Sequence, residues 1–257
     1  MTGGRRYDLV IFDWAGTMVD FGCCAPIAAY VEAFDRRGVR LAEAAARADM
    51  GIAKVDHVRA LLARPEVAAA WVAAQARASD EADVEALMAD LEPLMRDAAA
   101  VAAELIPGAA ETVAVLRARG LRIASSTGYT RQMMGPVLAR AAGQGYCPDH
   151  VVCAGETPQG RPSPLMIYKA CAELGVWPLS RVVKVDDAEA GIAEGRAAGC
   201  FTVGVAASGN AVGLSLAAYR ALEPEDREHR LERARAALLA AGADVVIDSV
   251  ADLPAEL

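Results

Sequence analysis

A chain of 257 residues has room for one large domain, or for a core carrying an insertion, with a substantial buried interior. Its formal charge of -8 argues against general nucleic-acid binding. Despite a 54% hydrophobic content, much of it alanine, no apolar run reaches the about 18 residues of a membrane span, so neither a nucleic-acid nor a membrane partner is expected. The six cysteines, Cys23, Cys24, Cys147, Cys153, Cys171 and Cys200, form no CxxC pair or disulfide-like spacing. No signal-like segment opens the sequence either, and the expected compartment is a reducing cytoplasm.

The first predicted element is a strand over residues 7–13. Leu9, Val10, Ile11 and Phe12 are consecutively apolar, as in a parallel-sheet strand covered on both faces, and Asp13-Trp14-Ala15-Gly16-Thr17 follows at once. Ligands of such sheets bind beyond the carboxyl ends of the strands, which makes Asp13 a candidate nucleophile. The next convincing strand comes only near residue 121. The alanine-rich stretch between them predicts helices near 25–37, 54–63, 66–77 and 82–103, with Gly38 ending the first and Arg64-Pro65 separating the second from the third. Residues 50–62 read as a turn followed by the second helix, and Met50, Lys54, His57 and Leu61 recur there at helical spacing on one face. Met50, Gly51, His57 and Val58 occupy the positions three and four residues from Lys54, so no local carboxylate pairs with it. A lysine of this kind, beside apolar groups, can have its pKa lowered by desolvation, as a Schiff-base lysine requires. His57, one turn beyond, is a candidate proton carrier.

Pro107-Gly108 marks the return of the chain, and a helix over 111–119 closes at Gly120. Strands near 121–125, 151–154, 182–186, 201–205 and 244–248 then alternate with helical segments, the pattern of a covered parallel sheet. Two of them end in polar groups. Ser125-Ser126-Thr127-Gly128 offers hydroxyl and backbone donors to a phosphoryl oxygen, and Asp186-Asp187 offers hard oxygen ligands to Mg²⁺. Arg161, in Gly160-Arg161-Pro162, carries a planar donor fork suited to phosphoryl oxygens. The charged stretch 223–235 reads as a solvated helix. The expected fold is α/β, a doubly wound parallel-sheet core of residues 1–20 and 105–257, with an inserted α-helical cap over 21–104.

The order Asp-x-x-Gly-Thr, Ser/Thr-Gly, a basic residue and Asp-Asp resembles the haloacid dehalogenase superfamily of aspartate-nucleophile phosphotransferases. Within it, residues 13–20, the Met50-Gly51-x-x-Lys54-x-Asp56-His57 segment and 160–164 are similar to the phosphonoacetaldehyde hydrolases, or phosphonatases. The similarity extends to 194–199 and Ser208-Gly209-Asn210. It implies hydrolysis of the phosphorus-carbon bond of a small phosphonate through a Lys54 Schiff base and an aspartyl phosphate on Asp13, with His57 shuttling protons. It implies Mg²⁺ held by Asp13, the Ala15 carbonyl, Asp187 and Asp186, with Asp187 the direct ligand of the pair. Thr127, Gly128 and Arg161 would bind the phosphoryl group, Met50, Cys23, Tyr129 and His57 would line the aldehyde side, and the chain would form a homodimer. Lys54 would reach Asp13 on closure of the cap, with connections near 20 and 104 as hinges.

Two positions depart from the superfamily pattern. Ala15 stands where many of its phosphatases carry an acid that protonates a leaving oxygen, and Gly191 stands where a second acid follows the Asp pair. The alternatives are a phosphatase or phosphomutase of the same fold acting on a small phosphate ester, or a non-catalytic interaction protein that binds through the cap.

Overall fold

The computed structural model describes residues 6–257, so the first five residues of the expected core segment 1–20 lie outside it. Six parallel strands, β1 (Leu9–Phe12), β2 (Arg122–Thr127), β3 (His150–Cys153), β4 (Val182–Asp186), β5 (Phe201–Val205) and β6 (Val245–Ile247), form one sheet in the order β3-β2-β1-β4-β5-β6. All four residues of β1 are buried. Val10 and Phe12 pack into one apolar cluster and Leu9 and Ile11 into another, so the strand is covered on both faces. The chain runs outward from β1 through β2 to β3 and returns to β4 on the other side of β1. This is the reversal at which doubly wound sheets open a crevice.

Six helices separate β1 from β2: α1 (Cys24–Asp35), α2 (Glu43–Ala48), α3 (Lys54–Ala63), α4 (Pro65–Gln75), α5 (Glu81–Ala102) and α6 (Ala109–Ala118). The longest, α5, starts at a capping box in which Asp80 accepts from the Asp83 amide and Asp83 from the Asp80 amide. Val84, Leu87, Leu91 and Met95 then recur at three- and four-residue spacing and are all buried. This face packs on α1 and α3, and α5 also meets α7 (Arg131–Gly143) of the sheet layers. The remaining helices are α8 (Leu165–Leu174), α9 (Glu189–Ala198), α10 (Leu216–Arg220), α11 (Pro224–Ala240) and α12 (Leu253–Glu256). As its charge pattern predicts, α11 is mostly solvated, burying Leu231, Ala234 and Leu238.

Two local features differ from the sequence reading. Strand β2 runs on through Thr127 instead of ending at 125, because Ser125, Ser126 and Thr127 are all buried, with Trp14 and Lys184 on neighbouring elements donating to the two serine hydroxyls. Helix α2 is absent from the expected set; its six residues bury only Ala46, too little for a periodic signal. As expected, α3 begins at Lys54 and Met50 lies in the preceding turn, from which its Sδ still reaches to 3.9 Å from Lys54 Nζ. Leu87→Ala, which empties a 1%-exposed site on α5, is expected to lower unfolding free energy by about 2–5 kcal/mol, read as a lower urea midpoint at an unchanged slope.

Candidate active site

The register of the sheet builds the site. Phe12 pairs with Ser125 on β2 and with Val185 on β4, so Asp13, one residue on, emerges between Ser126 and Asp186. Just after Asp13, Gly16 takes φ +85°, and a Cβ there would stand 2.4 Å from Asp187 Oδ2; the turn brings backbone where a side chain has no room.

Around Asp13 the four carboxylates Asp13, Asp186, Asp187 and Glu194 and the two cations Arg161 and Lys184 are all at most 7% exposed. Arg161 donates from Nε to Glu194 (3.0 Å) and from Nη2 to the Ser126 carbonyl (2.7 Å), and its Nη1 pairs with Asp13 Oδ1 at 2.8 Å and with Asp186 Oδ2 at 3.4 Å. Lys184 Nζ lies 2.9 Å from Asp186 Oδ2 and donates to Ser126 Oγ at 2.9 Å. Burial pushes the Asp13 carboxyl up to about 6, assisted by the charge of Asp186 and opposed by Arg161 and Lys184. Asp186 is also desolvated, yet Arg161 and Lys184 hold it below the ordinary carboxylate range. Asp187 differs from both. Its hydrogen-bond donors, Thr17 Oγ1 (3.0 Å), Cys23 Sγ (3.3 Å) and the Asn210 amide (2.9 Å), are neutral, and burial with the charges of Asp13 and Asp186 raises it well above the usual range.

If all ionise, these groups leave an excess of two negative charges. Oxygens of Asp13, Asp186 and Asp187 lie within 4.8 Å of one another, so both the donor set and the charge fit a divalent cation. The Ala15 carbonyl, on the same cavity, accepts a hydrogen bond from Cys23 Sγ at 3.2 Å. Gly191 has a steric cause: a Cβ there would fall 1.9 Å from Asp186 Oδ2, so no second acid fits at that position.

The other wall comes from the inserted helices. Lys54 is 5% exposed at the first position of α3, where the helix dipole disfavours a cation. Its Nζ lies 3.9 Å from Met50 Sδ, 4.9 Å from the Tyr129 ring centroid and 5.7 Å from that of Tyr30. It forms no ion pair among the described residues. Desolvation lowers its pKa to about 8, against smaller opposing effects of Cys23 and Asp13. Lys54 and Asp13 face one cavity, with about 350 Å³ of space between atoms and part of it open to solvent, also lined by Ala15, Cys23, Met50, Thr127, Gly128, Tyr129, Arg161 and Asp187. The two layers meet closely here, since a Cβ on Gly128 would lie 2.9 Å from the Ile52 carbonyl oxygen and one on Gly51 2.9 Å from Ala188 Cβ.

Two candidates stand behind this lining. Asp186 lies beneath Arg161, and His57 is fully buried with its ring centroid 4.3 Å from that of Tyr30. Burial and the neighbouring Lys54 lower the His57 pKa to about 3, so its imidazole is neutral at ordinary pH. Sequence reasoning did not single out Glu194, Lys184 or Tyr30 as parts of the site. Tyr30 falls at apolar helical spacing with Ile27 and Phe34, which signals only packing. Lys184 lies inside an apolar strand, and a charge in such a strand is the one local signal that it has a buried partner.

A buried carboxylate triad at the reversal of a parallel sheet, faced by a helical insertion, defines a hydrolase of the haloacid dehalogenase type. Residues 7–199 match the haloacid dehalogenase-like hydrolase family. The chain is 48% identical to the phosphonoacetaldehyde hydrolase of Paraburkholderia phytofirmans over 97% of its own length and 93% of the relative's. It is 39% identical to that of Bacillus cereus, covering 96% and 94%. A crystal structure of a phosphonoacetaldehyde hydrolase-like protein from Oleispira antarctica superposes with a TM-score of 0.96 at 40% identity, covering 98% of this chain and 91% of that one. The chain belongs to the haloacid dehalogenase-like hydrolases and, within them, to the phosphonoacetaldehyde hydrolase family.

Burying Lys54 has a stability signature. Its folded pKa of about 8 lies below the ordinary 10.5, so between those values the unfolded chain binds the extra proton and stability rises with pH. Below about pH 8 the full cost of the buried ammonium applies. Lys54→Met is therefore expected to be more stable than the parent at pH 7 by about 1–3 kcal/mol, with the gap closing as pH rises toward 10.5. Urea melts at pH 7 and pH 10 check this; a gap that widens with pH contradicts it.

Proposed function

We propose that the protein hydrolyses the phosphorus-carbon bond of phosphonoacetaldehyde to acetaldehyde and phosphate, through an imine on Lys54 and an aspartyl phosphate on Asp13. The observation that carries this reading is the desolvated, unpaired amine of Lys54 on the same cavity as the Asp13 carboxylate. At pH 7 a pKa of about 8 leaves about a tenth of Lys54 neutral, against less than about 0.1% for an unperturbed lysine.

Carbon is a poor leaving group from phosphorus because its electron pair has nowhere to go. Condensation of the Lys54 amine with the substrate aldehyde releases water and supplies an acceptor for that pair. Asp13 then attacks phosphorus, the phosphorus-carbon bond breaks, and its electrons form an enamine on Lys54. The carbon takes a proton, water hydrolyses the resulting imine to acetaldehyde and free Lys54, and a second water releases phosphate from Asp13. An enamine needs no protonated oxygen to depart, which accounts for Ala15 in place of an acid and disfavours a phosphate-ester hydrolase. Arg161 pins Oδ1 of Asp13, orienting the carboxylate. Thr127 and Gly128 are assigned to the phosphoryl group, and Met50, Cys23 and Tyr129 to the aldehyde end. His57, neutral and packed on Tyr30, is assigned to proton movement at the Lys54 nitrogen through water.

The metal is assigned as Mg²⁺, held by Asp13, the Ala15 carbonyl and Asp187, with Asp186 supporting them from its pairs with Lys184 and Arg161. Bound there, it supplies positive charge beside the phosphoryl group and lessens the mutual repulsion of the carboxylates. The proposal takes residues 21–104 as the cap, and the enzyme as a cytoplasmic homodimer. Six free thiols accord with a reducing compartment.

Borohydride added with phosphonoacetaldehyde is expected to inactivate the enzyme and to add mass at Lys54. Labelling elsewhere, with full activity in Lys54→Arg, would exclude the imine. In Asp13→Asn the trapping at Lys54 should persist while phosphate release falls by roughly four to six orders of magnitude. Normal phosphate release by that variant would remove the nucleophile.

A further inference from the structure

One of the three donors to Asp187 comes from a residue that is itself tied to the inserted helices. The Asn210 amide donates to Asp187 Oδ2 at 2.9 Å. Its side chain makes a reciprocal pair with Arg47 near the end of α2, in which Nδ2 donates to the Arg47 carbonyl at 2.9 Å and Oδ1 accepts from Arg47 Nη1 at 3.2 Å. These partners fix which end of the amide is oxygen. Arg47 also donates to the Gly22 carbonyl (2.9 Å), in the first connection to the insertion, and to the Gly213 carbonyl (3.2 Å). Among the described residues it forms no ion pair, and the oxygens it donates to are all uncharged. Direction therefore matters more than charge at this contact.

The Arg47 carbonyl has a second duty. It accepts the Met50 amide at 3.2 Å, in the turn whose Met50 Sδ lies 3.9 Å from Lys54 Nζ. One acceptor thus joins the turn leading to the amine and the loop that steadies the carboxylate.

We propose that Arg47 and Asn210 form a positioning latch that couples docking of the inserted helices to the orientation of Asp187, so that the metal-ligand geometry is complete only when the Lys54 side is in place. When the helices lift away, Asn210 loses both side-chain partners and its loop is free to turn the amide from Asp187. Neither residue lines the cavity shared by Lys54 and Asp13. Both act through Asp187, as groups that orient metal ligands do. The inference rests on the reading of Asp187 as a metal ligand.

The test titrates MgCl₂ alone, by calorimetry, into the full-length parent, Arg47→Ala, Asn210→Ala, the double variant and Arg47→Lys, with amide hydrogen exchange read over 20–25 and 208–213. Each alanine variant is expected to weaken Mg²⁺ binding about tenfold, and the double variant no further, since one latch is being removed. Protection in both segments should fall in step. Arg47→Lys should resemble Arg47→Ala, because a point charge cannot address three separated oxygens; parent-like behaviour of Arg47→Lys would overturn the latch. So would unchanged Mg²⁺ affinity in Asn210→Ala, or losses that simply add. If Arg47→Ala fails to fold, Asn210→Ala and Arg47→Lys carry the same comparison. Absence of Mg²⁺ binding by the parent would instead remove the metal assignment, and the exchange data would then decide the latch alone, unchanged protection overturning it.

Discussion

Everything at this site follows from holding four carboxylates and two cations out of water at the ends of neighbouring strands. Isolated charges at such depth would neutralise themselves, so each must be paired, hydrogen-bonded or left to a counter-ion. The division is uneven. Arg161 and Lys184 serve Asp186 and Glu194 and pin one oxygen of Asp13, while Asp187 receives neutral donors only. The unbalanced charge therefore sits at the cavity wall and the balanced charge behind it. An Asp13 carboxyl raised to about 6 and a charge at Asp187 that suits a cation are two results of one arrangement.

The opposite wall applies the same physics with the other sign. A lysine at the start of a helix, walled by methionine and two aromatic rings, is more easily accommodated neutral than charged. Burial raises a carboxyl and lowers an amine, and it brings Asp13 and Lys54 to about 6 and about 8, where both can be unprotonated together. Excluding water is thus what the helical insertion contributes chemically, besides carrying the amine.

Much of this was legible because a strand buried on both faces leaves an unmistakable apolar run. Leu9 to Phe12 announced β1, and the order Asp13, Thr127, Arg161, Asp187 could be read as separate strand ends and a loop before any geometry was known. What the sequence concealed had two causes. Strand β2 looked too short because its last three residues are hydroxyl-bearing, and a buried serine is distinguishable from a turn serine only through partners such as Trp14 and Lys184, remote in the chain. The turn before α3 conceals the rest, because the approach of Met50 Sδ to Lys54 Nζ depends on how that turn folds and not on residue spacing alone. For Arg161 the planar donor fork is legible in the sequence, whereas its partners Glu194, Ser126 and Asp13, remote in the chain, are not.

At the seam between the layers Gly128 meets the Ile52 carbonyl and Gly51 meets the Ala188 methyl group, so no long side chain crosses at either point. Contact at these two points is set by backbone shape and a single methyl group, not by long side chains that could shift. The same bareness makes the joint intolerant. A single methyl group at either glycine would act as a doorstop, propping the layers apart by a fraction of an ångström and admitting water to an amine whose lowered pKa depends on its exclusion. Two residues with no functional group of their own thereby set the working acidity of a third.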